Sequence, residues 1–246
     1  MKKLLQLCFT IISLLGLWQA IVTLLAMPDY ILPSPMQVVQ IIITKRELLL
    51  AQTLPTLQET LLGLLLGMIA GTLAGCLIAA SSTLARWFLP LVIISQAMPI
   101  FAIAPLLVIW FGYGLASKII AAMIMIFFPV TSALYDGLRR TPIAWLEMAR
   151  TMNAGKFSTF WHIQLPAALP AYASGIRLAA VAAPIGAIVG EWVGASKGLG
   201  YLMLNANARM EIDTMFAALI VIIVMSLLLY TTVDIVLKKL IWWQGE

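Results

Sequence analysis

Apolar residues fill this chain in long runs, and the polar residues gather in the short breaks between them. A run of roughly 20 apolar residues is the length an α-helix needs to cross the hydrocarbon core of a bilayer. Six such runs are expected at about 4–27, 55–80, 88–111, 117–138, 168–190 and 214–237. The pattern predicts an all-α, polytopic membrane protein of about six transmembrane helices, forming one membrane domain over residues 1–246. The first run follows Met1-Lys2-Lys3 as a secretory signal would. It is longer than the usual ~7–15-residue signal core and no A-x-A site follows, so it is expected to stay as the first span.

The breaks carry their own signals. Pro28, Pro33 and Pro35 end the first helix, and Pro35 suits the first position of a new one. Residues 36–53 look like an amphipathic surface helix, with Lys45, Arg46 and Glu47 in its middle. In the second span Gly63, Gly67, Gly71 and Gly75 recur every four residues, a face on which a neighbouring helix can approach closely. Pro90, Pro99 and Pro105 each remove a helical hydrogen bond from the third span. Gly112-Tyr113-Gly114 makes a turn, Pro129 lies inside the fourth span, and Asp136 lies near its end. After the fifth span comes the Gly-rich stretch Glu191–Tyr201, then a short surface or re-entrant helix over 201–213. Lys238 and Lys239 close the last span, and Trp242 and Trp243 suit the headgroup boundary.

Composition supports the membrane reading: 63% of the residues are hydrophobic and 10% charged, with no polar stretch long enough for a separate soluble domain. The net charge of +5 is spread over short loops, which is a topology signal and not a nucleic-acid face. With the N-terminus inside, the cytoplasmic set is Lys2, Lys3, Arg86, Arg139, Arg140, Arg150, Lys156, Lys238 and Lys239. The outer set is Lys45, Arg46, Lys118, Lys197 and Arg209. This asymmetry predicts that both termini are cytoplasmic. Cys8 and Cys76 lie in apolar runs and read as buried, inert thiols, and His162 as a solvated or interfacial side chain. One histidine supports neither a metal cluster nor a Ser-His-Asp or Cys-His set, so no catalytic or metal-binding residue is expected.

The stretch Glu147–Pro170 is polar, basic and broken by Asn, Gly and Pro, so it belongs in water between two spans. With the preceding residues it forms a cytoplasmic loop at 139–167. Thr141-Pro142 offers an N-cap followed by a first-turn proline. From there Trp145, Met148, Ala149 and Met152 fall on one face of a helix of about three turns. Glu147 early and Arg150 late suit the helix dipole. Asn153 and Gly155 both tolerate the left-handed conformation that closes a helix. An amphipathic helix of this kind suits a groove on another protein, or packs on the membrane or its own spans.

This loop resembles the E-A-A-x3-G-x9-I-x-L-P signature of binding-protein-dependent ABC importer permeases. The match runs through Glu147, Met148 (Ala in the motif), Ala149, Asn153 (Gly in the motif), Ile163, Leu165 and Pro166. Glu191-Trp192-Val193-Gly194-Ala195-Ser196, Gly198-Leu199-Gly200-Tyr201 and Ile31-Leu32-Pro33-Ser34-Pro35 resemble the sulfonate, taurine, nitrate and thiamine-precursor branch. Ser95–Pro99, Trp110–Gly114, Phe127–Pro129 and Asp136-Gly137 look most like its thiamine-precursor (hydroxymethylpyrimidine-type) members. The resemblance implies a type I importer permease fold in a bacterial inner membrane. It also implies an ATPase-coupling helix built from Trp145, Glu147, Met148, Ala149, Arg150, Met152 and Asn153, with Leu165 and Pro166 behind it. The implied partners are two ABC ATPase subunits, a second permease copy and an extracytoplasmic binding protein.

The chain lacks G-x4-G-K-[ST], so it has no phosphate cradle of its own. It is expected to bind no cofactor, with ATP and magnesium on the partner ATPase, and to be a transport subunit and not an enzyme. The solute implied is a thiamine pyrimidine precursor; sulfonate, taurine or nitrate is the alternative. A secondary transporter driven by an ion gradient would need an ionisable relay within spans. Glu59, Asp136, Arg177, Glu191 and Asp234 sit mostly at span ends and form no obvious one. An integral membrane enzyme is the third class and lacks its residues. Gln96, Met98, Asp136 and Glu191 are the candidates for the translocation path or gate, with Glu191 also suited to holding the Gly198–Tyr201 loop.

Overall fold

A computed structural model describes residues 2–243, apart from the side chains of Lys2, Lys3, Leu4, Leu7 and Cys8. The expectations for the Cys8 thiol and for the Lys2 and Lys3 side chains fall outside the described residues. Every regular element among those described is helical. In chain order they are α1 (Lys2–Leu24), α2 (Pro35–Thr44), α3 (Arg46–Ala80), α4 (Ser82–Ala97), α5 (Ile100–Phe111) and α6 (Leu115–Arg139). There follow α7 (Ile143–Thr151), α8 (Lys156–Thr159), a π-turn over Phe160–Gln164, α9 (Leu165–Gly194), α10 (Leu199–Ala208) and α11 (Ile212–Leu240).

Among the described residues, four helical runs are long and apolar enough to cross a membrane: Arg46–Ala80, Leu115–Arg139, Lys156–Gly194 and Ile212–Leu240. The third run joins α8, the π-turn and α9, so the chain becomes helical at Lys156, well before the start at 168 that the sequence suggests. Where one span is expected at 88–111, α4 and α5 form a pair bent by 100°. The cause is local. Pro99 disfavours the helical region for the residue before it, and Met98 accordingly sits at φ −75°, ψ 121°. Pro90 and Pro105, in contrast, stay inside α4 and α5.

The chain divides into two compact units. One contains the described residues up to Pro55 together with Ser196–Val224. Here Pro35 takes the first position of α2 behind a Ser34–Gln37 capping box, as its place in the sequence predicts. The surface helix expected at 36–53 is interrupted at Lys45, where α2 ends, and the remainder runs on into α3. The Lys45 ammonium reaches Glu211 at 2.7 Å and Thr214 Oγ1 at 2.8 Å. That hydrogen bond and charge hold the Glu211 carboxyl below the usual carboxylate range. Trp18 donates to the Pro33 carbonyl at 3.1 Å and lies against the Phe216 ring. Gln52 Oε1 accepts the Gly198 N–H at 2.6 Å.

The other unit, Thr56–Ala195 with the described residues from Met225 onward, is built on α3, α6 and α9. A Cβ on Gly63 would sit 2.4 Å from Ala122 Cβ, one on Gly67 2.5 Å from Ile126, and one on Gly71 2.8 Å from Val130. The glycine face of α3 therefore seats directly on α6, and the matched numbers rise together, so the two helices are parallel. On α9, Gly175 meets Pro129, Gly186 meets Ala122 and Gly190 meets Lys118, so α9 runs antiparallel to α6. Leu64, Ile126, Val130, Ala179, Ala180 and Ala183 fill the space among the three. Because α3 and α6 point the same way, the bent α4–α5 pair carries the chain from the end of one to the start of the other.

Candidate functional site

The first candidate lies at the Arg139 end of α6. Thr141 does not cap the next helix: its hydroxyl is buried and donates to the Leu138 carbonyl at 3.0 Å. Pro142 takes the N-cap place, and α7 is nine residues long, shorter than the three turns expected. Its end is closed by Asn153, at φ 55°. The Asn153 N–H donates to the Arg150 carbonyl and the Ala154 N–H to the Ala149 carbonyl, both at 2.9 Å. That pair of bonds defines a Schellman turn. The Asn therefore adopts the left-handed conformation that its match to the motif glycine requires, whereas Gly155 does not (φ −66°).

The apolar side chains of α7 divide between two directions. Ala149 is 2% exposed and turned inward, whereas Trp145, Met148 and Met152 are 49%, 55% and 74% exposed. Glu147 and Arg150 are exposed as well. Trp145 and Met148 form one wall of a groove of about 640 Å³. Ile163, Pro166 and Pro170 from the π-turn and α9 form the other. His162 also lines it, exposed, with Nδ1 3.0 Å from the Ser158 carbonyl. Leu165 faces away, into a core with Leu134, Leu138 and Ala168. The structure thus brings together Trp145, Met148 and Pro166 from the expected set and leaves Met152 on the free end of the helix. Sequence reasoning missed Ile143, Phe157 and Trp161, all exposed large apolar side chains on the same loop. The i,i+4 spacing of Phe157 and Trp161, whose rings lie 6.0 Å apart, was the available signal.

The path candidates do not converge. Gln96 and Met98 are exposed at the break between α4 and α5. Asp136 is exposed near the end of α6, about 27 Å along that helix from Lys118. Glu191 is 1% exposed and accepts a 2.6 Å hydrogen bond from Thr56 Oγ1.

Two sets of ionisable groups within the long helices are paired. Lys118 Nζ lies 3.0 Å from Glu59 Oε1, both buried. Arg177 Nε lies 2.7 Å from Asp234 Oδ1, and Lys238 reaches the other oxygen of Asp234 at 2.8 Å. Neither pairing was foreseen, since Lys118 reads in the sequence as a loop charge. Among the described residues no group of His, Cys, Asp and Glu is placed to hold a metal ion.

Known proteins resemble this chain over most of its length. The family described as "Binding-protein-dependent transport system inner membrane component" matches residues 63–241. A "Probable ABC transporter permease protein" of Haemophilus influenzae is 52% identical, with 93% of this chain and 94% of that one covered. The "Formylaminopyrimidine transport permease protein ThiX" of Halalkalibacterium halodurans is 34% identical, covering 96% of this chain and 94% of that one. The "Riboflavin transport system permease protein RibX" of Chloroflexus aurantiacus is 36% identical, covering 96% and 89%. In fold, a chain from an inward-facing structure of the MetNI methionine ABC transporter matches with TM-score 0.70 at 20% identity. That match covers 80% of this chain and 97% of the other.

Proposed function

From the premise that this chain belongs to the family of inner membrane components of binding-protein-dependent transport systems, as the permease subunit of an ABC importer, we propose that α7 docks into a cleft of a separate ATPase subunit and that the solute carried is a thiamine pyrimidine precursor. The observation that carries the docking reading is the exposed Trp145–Met148–Met152 ridge, set beside a groove and fixed in direction by the Asn153 turn. A water-facing helix gains nothing by itself from exposing three large apolar side chains, and an amphipathic helix in a protein groove gains their burial. The sequence has no phosphate loop, so ATP and its magnesium belong on that partner.

Two copies of this chain form the path, because one chain offers one α7 and an ATPase dimer offers two clefts. An external binding protein delivers the solute. Closure of the ATPases on ATP moves the two α7 helices together and turns the path from inward-open to outward-open. Gln96, Met98, Asp136 and Glu191 remain the proposed path or gate residues. The chain is placed in a bacterial inner membrane with both termini cytoplasmic, in keeping with its charge asymmetry. For the solute, the relatives named for formylaminopyrimidine and riboflavin both take flat nitrogen heterocycles. Lys118 and Arg177 are each committed to a carboxylate, so neither offers a sulfonate an unpaired charge. Sulfonate, taurine or nitrate is the alternative solute.

The docking reading is tested with Met148→Glu and Met152→Glu. Both are expected to abolish co-purification of the ATPase and ATP-driven uptake while the permease itself folds normally. Intact assembly and uptake in both variants would refute it. For the solute, vesicles carrying the reconstituted transporter and its binding protein should accumulate a labelled hydroxymethylpyrimidine compound. Accumulation of taurine instead would identify the alternative.

A further inference from the structure

Three ionisable side chains from three helices meet near the Leu115 end of α6, and their charges do not balance. Glu59 of α3, Lys118 of α6 and Glu191 of α9 are all buried. Lys118 Nζ is 3.0 Å from Glu59 Oε1, while Glu191 Oε1 accepts from Thr56 Oγ1. Glu191 is brought to the same pair: its partner Thr56 lies one helical turn before Glu59 on α3, and its neighbour Gly190 packs against Lys118. The second oxygen of Glu59, Oε2, is buried and meets no donor. A carboxylate oxygen without a donor, set against a second carboxylate, is an acceptor facing an acceptor.

Two ionised carboxylates and one ammonium would also leave a net negative charge inside a membrane helix bundle, which is strongly disfavoured. One proton cures both defects, supplying the missing donor and bringing the cluster to zero charge. Neighbouring carboxylates that cannot both ionise share a proton in this way, and the proton then belongs to the pair and not to either residue. Among the described residues, the charged groups that act on Glu59 are Lys118 and Glu191. The segment of α5, Ile100–Phe111, contains no ionisable residue, and Tyr113 after it lies against Gly194.

We propose that Glu59 and Glu191 share one proton, so that with Lys118 they form a neutral proton-binding site tying α3, α6 and α9 together. Near neutral pH the folded chain then holds one proton more than the unfolded chain, whose carboxyls are ionised. Stability therefore falls as pH rises.

The test uses the full chain in lipid nanodiscs and needs no transport. Infrared spectra near neutral pH should show a protonated-carboxyl band that shifts in heavy water and is lost in Glu59→Gln. The melting point of the unaltered chain should fall by several degrees between mildly acidic and mildly alkaline buffer. Glu59→Gln, which mimics the protonated acid, should melt close to the unaltered chain and flatten that dependence, whereas Glu59→Ala should melt lower. Combining Glu59→Gln with Glu191→Gln leaves Lys118 without a counter-charge. That pair of changes should destabilise more than either alone, and adding Lys118→Met should restore the loss. A flat pH profile without the band would overturn the proposal, as would Glu59→Gln melting as low as Glu59→Ala. A melting point that rises with sodium while the band is absent would identify a metal cation in place of the proton and likewise overturn it.

Discussion

The two ends of α6 invert the ordinary relation between polarity and burial. At one end Lys118 is buried with two carboxylates; at the other, α7 displays Trp145, Met148 and Met152 to the outside. A buried charge must be answered by partners in the same chain, because nothing from solution reaches it. An exposed apolar ridge has no such obligation, so its meaning lies in what comes to cover it. The first end is about holding this fold together, and the second about a surface left open by the fold.

That contrast can be broken by experiment. Lys118→Met removes one partner of a buried ion pair and should cost about 3–5 kcal/mol. The loss would appear as reduced thermal stability of the purified chain, and an unchanged melting curve would show that the cluster does not hold the helices. Next comes the middle of α6, where Gly67→Leu drives a side chain into space already occupied by Ile126. A cost of about 1–3 kcal/mol in the same assay is expected for such overpacking.

Closer to the open end, Asn153→Val forces a β-branched residue into a left-handed turn, at a cost of about 1–2 kcal/mol. Asn153→Gly should be near neutral, and its ATP-driven uptake should match that of the unaltered chain. A smaller effect belongs to the half-buried Lys45–Glu211 pair. The Glu211 carboxyl is held below its ordinary value of 4.5, so the contribution of the pair is complete above that value and fades as pH falls beneath it. Solvent and salt keep it under about 1 kcal/mol, which a pH series at low and high salt would resolve. At the bottom of the scale, Met148→Glu should shift stability by less than about 0.5 kcal/mol. The same change should abolish ATPase co-purification, which separates the two ends of α6 most cleanly.

Much of this was legible in the sequence, and what was not had a common cause. The all-helical membrane architecture followed from apolar run lengths. A left-handed turn after α7 was legible as a choice between Asn153 and Gly155, and the structure places it at Asn153. The glycine face of α3 was visible in its four-residue repeat, but its mate on α6 was not, because helix pairing depends on register between distant segments. Pro99 illustrates the same limit. It resembles Pro90 and Pro105 in sequence, yet only at Pro99 does the chain turn through 100°. Lys118 looked like a loop charge until α3 and α9 were brought beside it. Ala149 shares the helical spacing of its neighbours and still turns inward, since spacing does not say which side of a nine-residue helix meets the bundle.

The close fit of α3 on α6 has a consequence for how the chain is made. Gly63 and the Ala122 it rests against are 59 positions apart, with all of α4 and α5 between them. At a synthesis rate of about 5–20 residues per second, α3 waits in the bilayer for about 3–12 s before its mate has been translated. During that interval its glycine face is open to lipid and to any other helix nearby. The residues that make the finished contact tight are therefore also those that leave a nascent permease open to wrong pairing.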